Sequence, residues 1–91
     1  MPAVFDEPQS ELSPNRQIEF LKLLRRMQQS RLCQVIMATH SPLLMAMPGA
    51  SLIRLTPQGI APIRIEATDH FRIMREFCAD PQLFVEVMLD A

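Results

Sequence analysis

The first part of the chain contains two short apolar runs, residues 1–5 and 32–38, of which the first is short for a central strand. Short apolar runs of this kind are typical of buried strands. The first run ends at two adjacent carboxylates and Pro8, and proline cannot continue a ladder of hydrogen bonds. Because proline also disfavours helical geometry in the residue before it, Glu7 is predicted to be extended. The pattern predicts two buried strands, the first of which stops where its acids emerge.

The segment between these runs predicts an amphipathic helix from Ser13 to about Ser30. Ser13 supplies a capping hydroxyl, and Pro14 occupies the first helical position, where its missing N–H is not needed. The apolar positions recur at helical spacing and form a stripe wide enough to cover a sheet: Ile18, Phe20, Leu21, Leu23, Leu24 and Met27. A strand, a crossover helix and a second strand fold with right-handed, parallel geometry. The chain therefore begins with a predicted β-α-β unit.

The rest of the chain shows shorter patterns of the same two kinds. Ser41-Pro42 repeats the cap-and-proline start ahead of a short apolar helix over residues 43–47. Residues 51–55 and 60–66 alternate in part between apolar and polar and flank a turn signature, so they predict a β-hairpin. Two closing helices are predicted, from Thr68 or Asp69 through Ala79 and from the Asp80 cap to Leu89. The predicted fold class is α/β.

Composition and charge exclude few functions. A chain of 91 residues is one small domain or a piece of a larger one. Its net charge of −1 gives no reason to expect nucleic acid or an anionic membrane as a partner. No apolar run is long enough to span a membrane, and the N-terminus has no basic segment followed by an apolar one. We therefore expect a cytoplasmic protein.

Basic and thiol side chains receive structural interpretations. Basic residues gather near the end of the first predicted helix: Lys22, Arg25, Arg26 and Arg31. Cations there complement the helix dipole, and without interleaved aromatic residues we prefer a solvated helix end to a phosphate-binding or nucleic-acid-binding face.

Cys33 and Cys78 are far apart and lack C-x-x-C spacing, so both are predicted to be buried free thiols of the core.

The two predicted parallel strands bring three chemically active side chains to one edge. Asp6 and Glu7 end the first strand, and His40 follows the second. Ligands of open α/β sheets bind just outside the carboxyl ends of the strands. Taken alone, the acid pair fits a polar strand exit as well as catalysis, and a histidine in this position is more often a structural turn residue. Their convergence favours the functional interpretation.

Two further polar residues are interpreted structurally. His70 lies at a predicted helix start, where a hydrogen-bonded cap or a surface residue is the ordinary role. A zinc site built from His40 and His70 would lack its remaining ligands. Ser41 is not in the context of a nucleophile elbow and is predicted to cap a helix.

Three motifs, in this order and spacing, resemble a known family. They are Phe5-Asp6-Glu7-Pro8, Leu12-Ser13-Pro14 and Ala38-Thr39-His40-Ser41-Pro42. These motifs resemble the Walker B strand, the D-loop and the switch-histidine loop of ATP-binding-cassette-type ATPases, most closely those of small bacterial predicted ATPases of the AAA family. The region after Ala50 also looks like the C-terminal part of those proteins. The resemblance implies a partial P-loop NTPase fold of the ABC type, with residues 1–91 as the C-terminal portion of a nucleotide-binding domain.

The resemblance also implies roles in ATP hydrolysis. Asp6 is expected to hold Mg²⁺ through water, and Glu7 to polarise the attacking water as the general base. His40 is expected to contact the γ-phosphate and sense its presence. These residue types suit the roles, because a hard cation takes carboxylate oxygen, a base accepts a proton and a histidine can donate to a phosphate oxygen.

The D-loop is expected to contact the opposite subunit of a head-to-tail homodimer. Its predicted contact residues are Ser10, Leu12 and Ser13. Many relatives carry another acid where this chain has Gln9, and the aspartate of transporter D-loops is replaced by Ser13. Both departures concern communication between subunits more than the activation of water.

The larger departure is the lack of a phosphate-binding loop in these 91 residues. That loop needs the pattern G-x-x-x-x-G-K-S/T, because backbone N–H groups wrap the phosphates and a lysine reaches them. The chain has two glycines, Gly49 and Gly59, and its one lysine, Lys22, lies on a predicted helix. The glycine-rich signature motif that completes an ATP sandwich is missing too. We therefore predict the hydrolytic half of a site, cut from something longer and inactive alone.

The sequence supports three hypotheses about function. The first is the C-terminal part of an ATPase that uses ATP and Mg²⁺ once a phosphate-loop half is joined to it. The second is a non-catalytic module that docks on a full-length homologue through its first strand and D-loop, since unpaired strand edges template pairing. The third is an unrelated metal-dependent hydrolase using Asp6, Glu7 and His40, which ranks lowest because no third ligand joins the cluster.

Overall fold

A computed structural model describes residues 2–91, which form two compact units. The first unit ends at Ala50, and the second comprises Ser51–Ala91. The elements of the first unit are β1 (Pro2–Asp6), a 3-10 turn (Pro8–Glu11), α1 (Pro14–Ser30), β2 (Gln34–Ala38) and α2 (Pro42–Met45). Those of the second are β3 (Ile53–Thr56), β4 (Gly59–Pro62), a 3-10 turn (Ile65–Ala67), α3 (Asp69–Ala79) and α4 (Pro81–Leu89).

The predicted β-α-β unit is confirmed in the first unit. Strands β1 and β2 pair in parallel, with Phe5 opposite Met37 and Asp6 opposite Ala38. Helix α1 connects them and runs to Ser30, as its pattern predicted. Because the two strands are parallel and in register, their carboxyl ends lie side by side, and Glu7 and Thr39 leave the sheet at the same edge.

Within the described residues of the first unit, one face of this sheet is covered by α1 and the other is not. The ring of Phe5 meets that of Phe20 on α1 edge to face, with centroids 5.3 Å apart, and Leu24 of α1 is only 3% exposed. On the opposite face, Val4 is 71% exposed and Ile36 is 50% exposed. The prediction of buried strands is therefore wrong for every second residue of β1 and β2, because within the first unit α1 covers one face of the sheet and nothing covers the other.

The predicted second strand also begins too early. Leu32 and Cys33 precede β2, which starts at Gln34, and Leu32 is 81% exposed. Arg31 caps α1 with a left-handed backbone, φ 55°, so the next residues are used in reversing the chain toward the sheet. The apolar character of Leu32 gave no indication of this turn.

Capping residues set the helix starts where the sequence predicted them. Ser13 accepts a hydrogen bond from the N–H of Arg16 at 3.2 Å, and Ser41 accepts one from the N–H of Leu44 at 3.4 Å. Helix α2 is one turn long and ends at Met45, before the predicted end at residue 47. Between β1 and α1 the chain forms the 3-10 turn, in which Pro8 takes the first position.

The second unit contains the predicted hairpin and the two closing helices. Strands β3 and β4 pair antiparallel across a turn at residues 57–58. The second strand stops at Pro62 rather than near residue 66, because the chain then forms a 3-10 turn. Thr68 caps α3 and Asp80 caps α4, as predicted. The rings of Phe77 and Phe84 pack edge to face between these helices, with centroids 6.0 Å apart.

The thiol prediction is half wrong. Both cysteines are free, as predicted, but Cys33 is only half-buried and Cys78 is exposed. In α3 it is the neighbouring Phe77 that packs against α4, which leaves Cys78 off the contact face.

None of the helices in residues 2–91 has the length and hydropathy that a bilayer crossing requires.

Candidate functional site at the carboxyl ends of the parallel strands

A left-handed turn at Glu7 builds the candidate site. Glu7 has φ 50° and ψ 53°, so the prediction that it is extended before Pro8 is wrong. Its N–H still donates to the carbonyl of Ala38 at 2.7 Å, which extends the pairing with β2 by one bond. Because the backbone then turns left-handed, the Glu7 side chain swings across toward the residues that follow β2.

This turn brings Glu7 to His40. The Nδ1 atom of His40 lies 2.9 Å from Oε1 of Glu7, and the backbone N–H of His40 donates to Oε2 of Glu7 at 3.4 Å. The Glu7 side chain is 33% exposed and that of His40 is 69% exposed. The Glu7 carboxylate thus contacts one side of the His40 imidazole, while much of the imidazole surface is exposed to solvent.

Gln9 and Thr39 fix the carboxylate from the other side. The Gln9 side-chain amide donates through Nε2 to Oε2 of Glu7. Its Oε1 accepts a hydrogen bond of 2.6 Å from the hydroxyl of Thr39. Gln9 therefore bridges the turn after β1 and the turn after β2, and its orientation is set by having its amide and its carbonyl engaged at once.

The hydrogen bonds continue from Thr39 to α1. The N–H of Ser41 donates to the Thr39 hydroxyl at 3.1 Å, and the Ser41 hydroxyl donates to Oε1 of Gln17 at 2.6 Å. Gln17 in turn donates through Nε2 to the carbonyl of Leu12 at 3.3 Å. Ser41 is buried, at 7% exposure. Its hydroxyl caps α2 and also connects the turn that contains His40 to Gln17 of α1.

Asp6 occupies a different position from the pair. It is the last residue of β1 and is exposed, and strand alternation places it with Val4 on the uncovered face of the sheet. Within residues 2–91 its side chain makes no hydrogen bond or ion pair, and no group of three or more His, Cys, Asp or Glu side chains has the arrangement of a metal site. One exposed carboxylate fits a partly hydrated Mg²⁺, which in proteins is bound through one or two carboxylates together with water and phosphate oxygens.

One family model matches the part of the chain that contains this site. Residues 4–46 match the family model described as "AAA domain, putative AbiEii toxin, Type IV TA system". This match supports an AAA-type, P-loop-NTPase-like region over these residues. The comparisons with curated proteins and with solved structures returned no match. The AAA-type region runs from β1 to the end of α2 and contains every residue that the sequence predicted to be functional.

The predicted D-loop residues lie in the turn that leads from β1 to α1. Ser10 is exposed in the 3-10 turn, and its N–H donates to the Glu7 carbonyl at 3.1 Å. Leu12 is half-buried and its carbonyl accepts from Gln17, whereas Ser13 is exposed and caps α1. These contacts explain the local structure of the turn. A role for Ser10, Leu12 and Ser13 in contacting a second subunit stays a prediction.

Sequence reasoning missed three residues of the site. The sequence indicated Gln9 only as a departure from a family pattern, and it gave no role to Thr39 or Gln17. The available signal was that Gln9 and Thr39 each lie within two residues of a member of the acid–histidine pair. Gln17 gave no signal, because its contact with Ser41 depends on how α1 crosses the sheet.

Proposed function

We propose that the AAA-type region is the hydrolytic half of an ABC-type ATPase site. In this proposal Glu7 is the general base, His40 senses the γ-phosphate of ATP, and Asp6 holds Mg²⁺ through water. The observation that supports the proposal is the 2.9 Å contact between Glu7 Oε1 and His40 Nδ1 at the carboxyl ends of two parallel strands. The three residues match the acids of a Walker B strand and the histidine of a switch loop in type and in order.

The contacts of Glu7 constrain how it would act. His40 Nδ1 engages Oε1, while Gln9 and the His40 N–H engage Oε2. A carboxylate has about four acceptor positions. At least one therefore remains to take a proton from an attacking water, and three donors hold the group in place. A fixed base lowers the activation free energy by avoiding reorientation during proton transfer.

The same contact defines what His40 can offer to a phosphate. Because Nδ1 contacts Glu7, Nε2 is the ring nitrogen that would meet a γ-phosphate oxygen. Mg²⁺ would supply neutralisation of charge on the phosphate oxygens.

The proposed site needs a phosphate-binding loop from outside these residues. With Gly49, Gly59 and Lys22 as the glycines and lysine of the chain, the pattern G-x-x-x-x-G-K-S/T is not available within it. We propose that the loop comes from a further segment or a second protein, with Ser10, Leu12 and Ser13 contacting the opposite subunit of a homodimer. The 91 residues alone would neither bind ATP tightly nor hydrolyse it.

The test is complementation. The purified chain is mixed with a full-length protein of the same family that has an intact phosphate loop and a glutamine in place of its own catalytic glutamate. We expect Mg²⁺-dependent ATP turnover to appear with the wild-type chain and not with Glu7→Gln. Turnover that is absent from the mixture, or calorimetric binding of ATP to the chain alone with an affinity of roughly 1 μM, would contradict the proposal.

A second function is favoured by the uncovered face and edge of the sheet. Val4 and Ile36 are exposed apolar residues on one face, and β1 pairs with β2 alone within residues 2–91. An unpaired strand edge is a template for a further strand. In this alternative the chain docks on a full-length ATPase and regulates it without catalysis. Complex formation in a pull-down without restored turnover would favour this function over the first.

A further inference from the structure

A groove between α1 and the residues of α2 lies apart from the acid–histidine pair. Its volume is about 460 Å³, and its floor is apolar, with Ile18 and Leu21 from α1 and Leu43 and Met47 from the other side. Ile18 is 43% exposed and Leu43 is 41% exposed. The volume is in the range of ligand-binding sites in proteins, about 300–1,000 Å³.

The groove is held open by hydrogen bonds at both ends. At one end the hydroxyl of Ser41 donates to Gln17, and at the other Nε2 of Gln28 donates to the carbonyl of Pro48 at 3.0 Å. Both bonds join α1 to the segment that contains α2. A groove whose walls are fixed in this way loses little conformational entropy when it is filled, which favours binding.

Its rim is positively charged. Lys22 and Arg25 both line the groove from α1. Lys22 pairs with Glu19, the one acid of α1, at 3.3 Å, and both side chains are more than half exposed. Arg25 makes no ion pair with any carboxylate of residues 2–91. An apolar floor next to an uncompensated cation matches a partner that is apolar on one side and carries a carboxylate at the edge.

We propose that this groove binds a short amphipathic, acidic helix of a partner protein. Ile18, Leu21, Lys22 and Arg25 follow the spacing i, i+3, i+4, i+7 on α1, a length of about 10 Å, or two helical turns. The groove therefore runs along two turns of α1, a length that two turns of a bound helix would match. The partner places two apolar side chains over Leu21 and Leu43 and a glutamate or aspartate beside Arg25. An interface of this size is transient, with a dissociation constant of roughly 10 μM to 1 mM.

The probe is a designed helical peptide of roughly 14 residues, with leucines at i and i+4 flanked by glutamates, compared with the same peptide carrying lysines instead. It is titrated into the isotope-labelled full chain while the amide resonances are followed. We expect shifts at Ile18, Leu21, Leu43 and Met47, and binding at least about tenfold tighter for the glutamate peptide. Equal affinity for the two peptides, no saturable binding at roughly 1 mM, or shifts confined to other residues would overturn the proposal.

Three variants localise the effect, with circular dichroism as the check on folding. Arg25→Glu should reverse the preference in favour of the lysine peptide, and Leu43→Glu should abolish binding. Arg26→Glu is the matched control, since Arg26 is an exposed neighbour on the same helix that does not line the groove. Equal losses for Arg25→Glu and Arg26→Glu would mean that the overall charge of α1 attracts the peptide, which contradicts a site at the groove.

The same titration tests whether a lipid surface, a nucleic acid or a second copy of the chain occupies the groove instead. Vesicles containing anionic lipid, and separately a short DNA duplex, replace the peptide as the probe. If either shifts the groove resonances at lower concentration than the glutamate peptide does, the assignment of a protein partner is wrong. Shifts of the same residues on raising the concentration of the chain alone would assign the groove to a second copy and likewise overturn the proposal.

Discussion

His40 Nδ1 lies 2.9 Å from Oε1 of Glu7, although the two residues are 33 positions apart in sequence. The contact has two causes. The parallel register of β1 and β2 puts Asp6 opposite Ala38, and the left-handed turn at Glu7 rotates the next side chain toward the histidine. The candidate site therefore depends on sheet topology and on one uncommon backbone conformation.

Glu7→Gln is expected to abolish ATP turnover in the complemented assembly without dissociating it. The glutamine keeps the size and most hydrogen bonds of the glutamate but cannot accept a proton, so the rate should fall about 100-fold or more. Steady-state phosphate release measures the rate, and a pull-down measures the assembly. Glu11→Gln is the control, because Glu11 is exposed in the neighbouring 3-10 turn. Equal rates for the two variants would exclude Glu7 as the base.

Gln9 and Thr39 are expected to stabilise the chain as a coupled pair. The Thr39 hydroxyl donates to Gln9, whose amide holds Glu7, so removing either partner leaves the other unsatisfied. We expect Gln9→Ala and Thr39→Val each to lower the free energy of unfolding by about 1 kcal/mol, with a coupling energy of about 0.5–1 kcal/mol in the double mutant. Urea unfolding of the four chains gives these values.

Thr39→Ser is the control for this pair, because it keeps the donating hydroxyl. It should retain most of the coupling with Gln9. Losses that simply add in the double mutant would show that the bridge makes no contribution of its own to stability.

The left-handed backbone at Glu7 predicts that glycine is more stable than alanine at this position, the reverse of their usual order of stability. Residues other than glycine are disfavoured in the left-handed region by about 1 kcal/mol, whereas glycine elsewhere is less stable than alanine by about 0.5–1 kcal/mol. Both Glu7→Ala and Glu7→Gly remove the contact with His40, so their difference isolates the backbone term. We expect Glu7→Gly to be the more stable by about 1 kcal/mol.

Glu11 again provides the control for that comparison, since it belongs to the 3-10 turn and has no left-handed backbone. There, Glu11→Ala should be more stable than Glu11→Gly. Thermal or urea unfolding measures both pairs. The same order at both positions would mean that Glu7 is not held in the left-handed conformation.

The parts of the structure that could be predicted are those with local or topological causes. Ser13, Ser41, Thr68 and Asp80 cap their helices because a side-chain oxygen can reach the N–H three residues ahead. The parallel pairing of β1 with β2 follows from the length of the crossover helix. That Glu7 and His40 follow the two strands at one edge of the sheet was predictable for the same reason, whereas their direct contact was not.

The parts that could not be predicted depend on particular contacts at a distance. The left-handed geometry of Glu7 opposes the general preference of residues before proline, and the Gln9–Thr39 bridge depends on strand register to within one residue. The exposure of Val4 and Ile36 was hidden for another reason: an apolar run shows that a strand can be covered on both faces, but not whether a covering layer is present.

The single covered face predicts a sharp contrast between two neighbouring leucines of α1. Leu24 is 3% exposed beneath the sheet, whereas Leu23 is 42% exposed. Leu24→Ala should lower the free energy of unfolding by about 2–4 kcal/mol, because it removes buried apolar area and leaves a cavity. Leu23→Ala should lower it by less than about 1 kcal/mol, since both substitutions have the same effect on helix propensity and only burial differs. Urea unfolding followed by circular dichroism separates them. Similar losses would show that the outer face of α1 is also covered, as expected if a second copy or a partner protein packs there in solution.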